Sequence, residues 1–550
     1  MVICPGCGAD MHFDPDRQKL VCRYCDKALD PKEYHPPKVA EASEHEGYYT
    51  ATVFSCPQCG AEVISTDDTV ATFCSYCGTS VMLEGRAAEQ KAPDMVIPFK
   101  VTRPACEEAY RKLLKRALFA PSDMKRDSTV EKFRGIYMPY WVYSLRSDNT
   151  LELNGKKTNR EGDYMVTRSY MLRTPVKASV SGASFDAASG FEDNLSRSIA
   201  PYRPVESAVD FDPVYLSGFY ADSGDVSSET YSQEAKDLAQ EYVAGRIRSK
   251  FDYGSYGISG EDIRNAMTCE ESAKPALFPV WFMSVRNRKQ DRISYAVING
   301  ETGKAAAEIP IDFKKFLLGS LILAIPLFIL LNVFMTLLPG QMTVGSGVLA
   351  LISILILNGQ ANRLFTREMF LMDTGKKATG KINPEVMKNA KETEDKSPKT
   401  ILKILKFLSK FGVWVGMFIV VMTVGAVFAD DDPSTIFVLV LIGVYIVSAV
   451  CVSKLVGNAF DRKLGIIRPE KMYKAKFSDK FPKLVKPGIA LALTVIVLAA
   501  NPVADYWYYS TAGLSLLLTA WSFIDIIREQ NLLTTRKLPQ LNARGGDERA

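Results

Sequence analysis

The sequence predicts a multidomain chain: two small-β modules at the N-terminus, an α+β domain in the middle, and an all-α, six-helix transmembrane domain after it. Three observations predict this. Four Cys-x-x-Cys pairs fall within residues 4–77, β-type runs alternate with helical patterns over residues 94–312, and long stretches beyond residue 315 carry no charge. The length of 550 residues allows two or three compact domains, and 47% hydrophobic against 23% charged residues excludes disorder and a collagen-like fibre.

The N-terminal pairs are Cys4 and Cys7, Cys22 and Cys25, Cys56 and Cys59, Cys74 and Cys77. In each module 14 residues separate the two pairs, and the second module repeats the first at a period of 52. Four thiolates on two such knuckles satisfy a tetrahedral Zn2+ ion. Two zinc ribbons are therefore expected, at residues 1–30 and 53–90 with a linker at 31–52, each with one structural Zn2+. Gly8, Asp26, Gly60 and Gly78 close the knuckles, where the chain needs a positive φ, and Pro5 and Pro57 preset the turn. Residues 61–65 and 81–83 read as short strands. A module of about 30 residues has too little core to fold alone, and bound metal contributes roughly 10 to 16 kcal/mol.

A thioredoxin-like motif would be a single pair opening a helix, and a disulfide framework belongs to an oxidising compartment. Neither suits four pairs in duplicated β modules. A closed four-sulfur shell has no open position for catalysis. His12, His35 and His45 are the only histidines and read as surface residues. Cys106, Cys269 and Cys451 are isolated and read as packing residues.

The α+β domain opens with Val96-Ile97-Pro98-Phe99-Lys100, a strand pattern, followed by Thr102 and Pro104, the N-cap and first-turn signals of a helix to about Leu118. Two segments, Met138-Pro139-Tyr140-Trp141 and Phe278-Pro279-Val280-Trp281, share Pro followed two residues later by Trp. Both read as core strands of one sheet, with the proline expected at an edge or bulge. Residues 231–251 read as a helix, and 293–298 and 305–310 as strands joined by a hairpin turn at Asn299-Gly300. The turn carries no GxxxxGK[ST] spacing, and HExxH and GxSxG are absent, so no catalytic residue and no nucleotide site is assigned and an enzyme is not expected.

Beyond Lys315, residues 316–362 contain no ionisable side chain, and a span needs roughly 20 apolar residues. Leu338-Pro339-Gly340-Gln341 breaks this stretch in two. The expected spans are 316–338, 342–359, 411–429, 434–453, 487–504 and 507–526, with a tail at 528–550. Lys and Arg concentrate in alternate loops, so the positive-inside pattern places both termini in the cytoplasm, and no signal peptide is read at the start. Residues 399–410 read as a basic interfacial helix or as a solvated N-terminal extension of the third span, and the basic loops suit anionic lipid. The uncharged runs that make up the spans, the last of them ending at Ile524, hold no carboxylate, His or Arg, a pattern of an anchor or scaffold.

The formal net charge of +5 partitions sharply: residues 1–92 sum to −6, residues 93–315 to +1, and the basic membrane loops carry the excess. Ribbons of net charge −1 and −4 do not suit a phosphate backbone, which points the modules toward protein partners.

The Cys-Pro-x-Cys-Gly-type knuckles, Val96-Ile97-Pro98-Phe99, Phe119-Ala120-Pro121-Ser122, Gly135 to Trp141, Tyr215-Leu216-Ser217-Gly218-Phe219-Tyr220-Ala221-Asp222 and Phe278-Pro279-Val280-Trp281 together resemble a bacterial family of TFIIB-type zinc-ribbon multi-pass membrane proteins. Its members are often labelled as relatives of primosomal helicase N′, a label that the missing nucleotide motif contradicts. The resemblance covers residues 1–312. It implies association with SPFH-, TPM- and phage-shock-type membrane-stress proteins. The function expected is a membrane-anchored scaffold or adaptor in the bacterial cell membrane, with a homo-oligomer left open. The alternatives are a membrane-tethered nucleic-acid-binding regulator and a pore or transporter subunit.

Overall fold

The computed structural model describes residues 2–34, 47–66, 74–79, 84–287, 292–334, 338–369, 474–475 and 477–537. The strands are β1 (Met11–Asp14), β2 (Lys19–Cys22), β3 (Ala28–Leu29), β4 (Tyr48–Ser55), β5 (Glu62–Ser65), β6 (Glu84–Lys91), β7 (Met95–Val96), β8 (Arg134–Glu161), β9 (Tyr164–Asp186), β10 (Val209–Asp210), β11 (Tyr220–Ala221), β12 (Glu270–Asn287), β13 (Arg292–Asn299), β14 (Ala305–Ala307) and β15 (Arg536–Lys537). The helices are α1 (Arg103–Arg116), α2 (Asp127–Val130), α3 (Asp193–Ile199), α4 (Pro204–Ser207), α5 (Glu229–Arg248), α6 (Gly260–Ala266), α7 (Phe313–Phe334), α8 (Pro339–Met369), α9 (Phe477–Ala500) and α10 (Tyr506–Leu533).

Strands β1–β2–β3 form a small sheet, and the others join one large sheet whose main path runs β10-β7-β12-β8-β11-β5-β4-β6. The second cysteine module is thus continuous with the α+β domain: Tyr220 and Ala221 of β11 pair with Ser65 and Ile64 of β5 on one side and with Ile136 and Tyr137 of β8 on the other.

The two Pro-x-Trp strands lie side by side at the centre of this sheet, correcting the expected edge or bulge. Met138 pairs with Phe278, Pro139 with Leu277 and Tyr137 with Pro279, so β8 and β12 cross symmetrically. Each proline tolerates a central strand because it falls where the strand on its other side changes. Before Pro139 that neighbour is β11, parallel, and after it β9, antiparallel. Before Pro279 the neighbour is β7, parallel, and after it β13, antiparallel. No ladder hydrogen bond is demanded of the missing N–H at either crossover.

The symmetry extends further. Trp141 Nε1 donates to Val226 O and Trp281 Nε1 to Val101 O, both at 2.8 Å. Ala187 N donates to Pro139 O and Gly300 N to Pro279 O, again both at 2.8 Å. The α+β domain is an intertwined internal repeat: a short strand, a helix and a hairpin (β7, α1, β8–β9), then the same again (β11, α5, β12–β13), with the short strands exchanged. In the first copy the hairpin is drawn out into strands of 28 and 23 residues. Gly182, at φ 95°, is the extra residue where the register shifts beside Tyr143.

Local expectations hold at α1, where Thr102 caps Ala105 N–H at 3.5 Å and Pro104 lies in the first turn. The Asn299-Gly300 turn forms as expected, with Asn299 Oδ1 accepting from Glu301 N at 2.8 Å and Thr302 N at 2.9 Å. Its buried Glu301 accepts from Ser207 Oγ at 2.6 Å.

Among the described residues three helices, α8, α9 and α10, are long and apolar enough to cross a membrane. That falls short of the six expected. The spans at 411–429 and 434–453, like the segment at 399–410, lie outside the described residues, while α7, with Pro326 inside it, covers the first expected span as far as Phe334. Large apolar side chains such as Ile322, Ile496, Leu517 and Trp521 are exposed, whereas Thr343, Ser346, Thr494, Ser515 and Thr519 are buried. This inverted arrangement suits helices that meet through small and hydroxyl residues in lipid. Thr343 Oγ1 donates to Tyr508 O at 3.1 Å, and Ser515 Oγ to Ala490 O at 3.2 Å.

Helices α8 and α10 run about two to three turns past the ends of the expected spans, and these extensions reach the sheet, while α9 begins about three turns before its span. β15 pairs with β13. Arg536 binds Glu308 at 2.9 and 3.2 Å, touches Glu192, and lies 4.9 Å above the Tyr295 ring. Arg367, near the end of α8, reaches Glu308 at 2.5 Å and Glu192 at 3.9 Å. Burial works to raise the Glu308 carboxyl, but Arg367 and Arg536 outweigh it and hold it below the ordinary carboxylate range. Asn531 exchanges two hydrogen bonds with the Ile311 backbone, at 2.7 and 3.0 Å.

Candidate metal centres

Cys4, Cys7, Cys22 and Cys25 come together in one cluster and Cys56, Cys59, Cys74 and Cys77 in a second, with all sulfurs of a cluster within 4.8 Å of one another. The eight residues singled out by spacing are the eight that meet. The local cause is the same in all four knuckles. The N–H of Gly8, Asp26, Gly60 or Gly78 closes back on the carbonyl of the first cysteine at 2.8–2.9 Å. These four residues have φ of 75°, 55°, 74° and 66°.

Cys4 Sγ and Cys25 Sγ are 3.6 Å apart and Cys7 and Cys22 3.5 Å; in the second cluster Cys56–Cys77 and Cys59–Cys74 are both 3.7 Å. A disulfide would need about 2.05 Å. Sulfurs about 2.3 Å from a tetrahedral ion lie about 3.8 Å from each other, so both clusters could hold a metal ion. The N–H of Gly6 on Cys4 Sγ, at 3.4 Å, draws that thiol down to about 6, and hydrogen bonds from Cys59 and Cys74 draw Cys56 to about 6. In the same clusters the neighbouring sulfurs push Cys7, Cys59 and Cys74 up, so the thiols share protons that a metal ion would displace.

The two centres differ in their surroundings. In the first, Cys4 and Cys22 are buried while Cys7 and Cys25 are exposed; in the second all four cysteines are buried. The first module docks by its strand face: Phe13 N donates to Ser217 O at 3.0 Å, Phe13 packs edge-on to Tyr215 at 5.4 Å, and Gln18 Nε2 reaches Phe99 O at 2.6 Å. His12 lies on this docked face against Gly218, where a Cβ would come within 3.2 Å of it. His35, His45 and Cys451 lie outside the described residues.

The second centre is keyed into the sheet by Tyr76, which sits between Cys74 and Cys77. Its hydroxyl donates to Asp222, and its carbonyl accepts from Tyr295 Oη at 2.8 Å. Burial raises the Asp222 carboxyl to about 7, against the lowering effect of the Tyr76 hydroxyl. Tyr295 in turn carries Arg536 on its ring face. Sequence reasoning did not single out Tyr76 or Tyr295, since neither stands in a motif with recognisable chemistry. Asp222 closes the Tyr-Ala-Asp segment of the family resemblance, the one signal that pointed near it.

The uncharacterised protein YdjG of Bacillus subtilis (strain 168) is similar to this chain, 29% identical over 321 residues that make up 57% of this chain and 90% of that protein. No protein-family model matches the chain, and no solved structure does.

Proposed function

We propose that the protein is a scaffold or adaptor of the bacterial cell membrane that presents a metal-stapled head to protein partners in the cytoplasm. Both sulfur clusters hold zinc in this reading, six spans cross the bilayer, and both termini are cytoplasmic. The partners belong to membrane-organising or envelope-stress complexes of the kind the family resemblance implies. The observation that carries the reading is the division of labour between the two centres: one is sealed into a sheet clasped to the membrane helices, and the other leaves Cys7 and Cys25 outward on the docked module. A head fixed to its anchor with an exposed knuckle edge suits docking rather than chemistry, since a four-sulfur shell offers no site for substrate.

Affinity purification of the full-length chain from bacterial membranes tests this. Cys7→Ser with Cys25→Ser opens the outer centre without touching the sheet, and should abolish co-purification of a defined partner while the variant still inserts. Identical partners with and without the substitutions would refute the docking role. Metal analysis of the same samples should give two zinc ions per chain, falling to one.

A further inference from the structure

We infer that the cavity at the junction of β8, β9, α3 and α5 is a binding site for a small primary amine, with Asp186 as its anchor. The cavity, of about 250 Å³, is lined by Tyr140, Phe185, Asp186, Tyr202, Tyr231 and Leu238 together with Asp193, Ser196, Arg197 and Glu234. It is separate from both sulfur clusters and from the helix clasp.

The polar groups around it, the Asp186 carboxyl with Ser196 and Asp193 among them, are paired with one another, and one oxygen is left over. Arg197 lies 3.2 Å from Glu234 and 3.7 Å from Asp193, Tyr231 Oη donates to Asp193 at 2.8 Å, and the Tyr140 and Ser196 hydroxyls meet at 2.8 Å. Asp186 is 3% exposed, and its Oδ2 has no hydrogen-bond partner. A buried carboxyl oxygen left without a donor is costly, so a native structure that keeps one needs a reason.

The internal repeat sharpens the point. Asp186 pairs with Tyr140 at the first register position of β8–β9, as Asn299 pairs with Val280 in β12–β13. Asn299 has every polar atom engaged: Nδ2 donates to Ile199 O and Pro201 O at 3.0 and 3.3 Å, and Oδ1 accepts from two backbone N–H groups. The same position therefore does purely structural work in one copy and carries an unmatched carboxyl on a cavity wall in the other.

The wall chemistry selects the ligand. Three carboxyls against one guanidinium favour a cation, and an orphan oxygen asks for an N–H donor, which a primary ammonium supplies and a quaternary one does not. Phe185 stacks on Tyr231 at 5.0 Å and Tyr140 packs edge-on to Tyr202 at 5.6 Å, so aromatic surface is available to the body of the amine and to its charge. Burial, reinforced by the neighbouring Asp193, pushes the Asp186 carboxyl well up, and a bound ammonium would offset that penalty.

The test is calorimetric titration of the zinc-loaded full chain in detergent with 2-phenylethylammonium, using 2-phenylethanol as the uncharged control. Saturable binding of the amine with the alcohol at least roughly tenfold weaker is expected. Asp186→Asn, which copies the residue found at the equivalent position of the repeat, should keep the fold and lose the amine by a similar factor. Leu238→Trp, which narrows the mouth without altering a charge, should also weaken it. Absence of saturable amine binding to the wild-type chain, equal binding of the alcohol, or unchanged binding in Asp186→Asn would each overturn the inference.

Discussion

Single residues in this chain are legible in proportion to how local their work is. The eight cysteines, the positive-φ residues behind them, the Thr102 cap and the Asn299 turn each act within a few positions, and all appear where spacing and backbone preference place them. Asp222 and Tyr76 act across the fold, 146 positions apart in sequence. No local pattern encodes their meeting. That meeting has a measurable consequence. An unfolded aspartate releases its proton near pH 4, whereas folded Asp222 holds it to about 7. Between those values the folded chain binds the extra proton, so the stability this group contributes is full below about pH 4 and is lost as pH rises to about 7. Asp222→Asn keeps an acceptor for Tyr76 and removes the slope. Its melting temperature in detergent, relative to wild type, should be higher at pH 8 than at pH 5.

At the scale of elements, the two ribbons were readable as a duplication, but not that they end up in unlike settings. The first remains its own three-stranded sheet, and the second is absorbed through β11–β5. Pairing between strands far apart in the chain depends on which edges are left unpaired, which composition does not record. The difference predicts an order of metal loss. An organomercurial thiol reagent should release bound metal in two phases: a fast one from the centre with exposed Cys7 and Cys25, and a slow one from the buried centre that coincides with unfolding. Cys7→Ser with Cys25→Ser should remove the fast phase alone. Among the membrane helices, Gly347 lets α8 approach Thr494 of α9, where a Cβ would stand 2.7 Å from its Oγ1. Gly347→Leu should separate this pair and cost about 1 to 3 kcal/mol, read as a lower unfolding midpoint in mixed micelles.

For the whole molecule, the tripartite plan was visible in the distribution of charge. The manner of joining was not, because Glu192, Glu308, Arg367 and Arg536 are scattered through the chain and none stands in a motif. Their burial makes the clasp unforgiving. Glu308→Ala leaves the buried Arg367 and Arg536 with Glu192 as the one carboxylate between them, and should cost about 3 kcal/mol. Limited proteolysis should then cut near residue 534 in the variant and spare the wild type. The Pro-x-Trp repeat is legible in the sequence, but its meaning as a crossing point lies in the β8–β12 register, since symmetry about Met138 and Phe278 is a property of pairing.

The clasp also bears on biogenesis. A ribosome delivers Glu192 and Glu308 long before Arg367, and Arg367 long before Arg536, so the large sheet emerges with two carboxylates and the edge of β13 unmatched. Only after the last helix has been threaded into the bilayer does β15 arrive to close both. The sheet half of this protein therefore finishes folding last, and its completion reports that the helical half has been inserted.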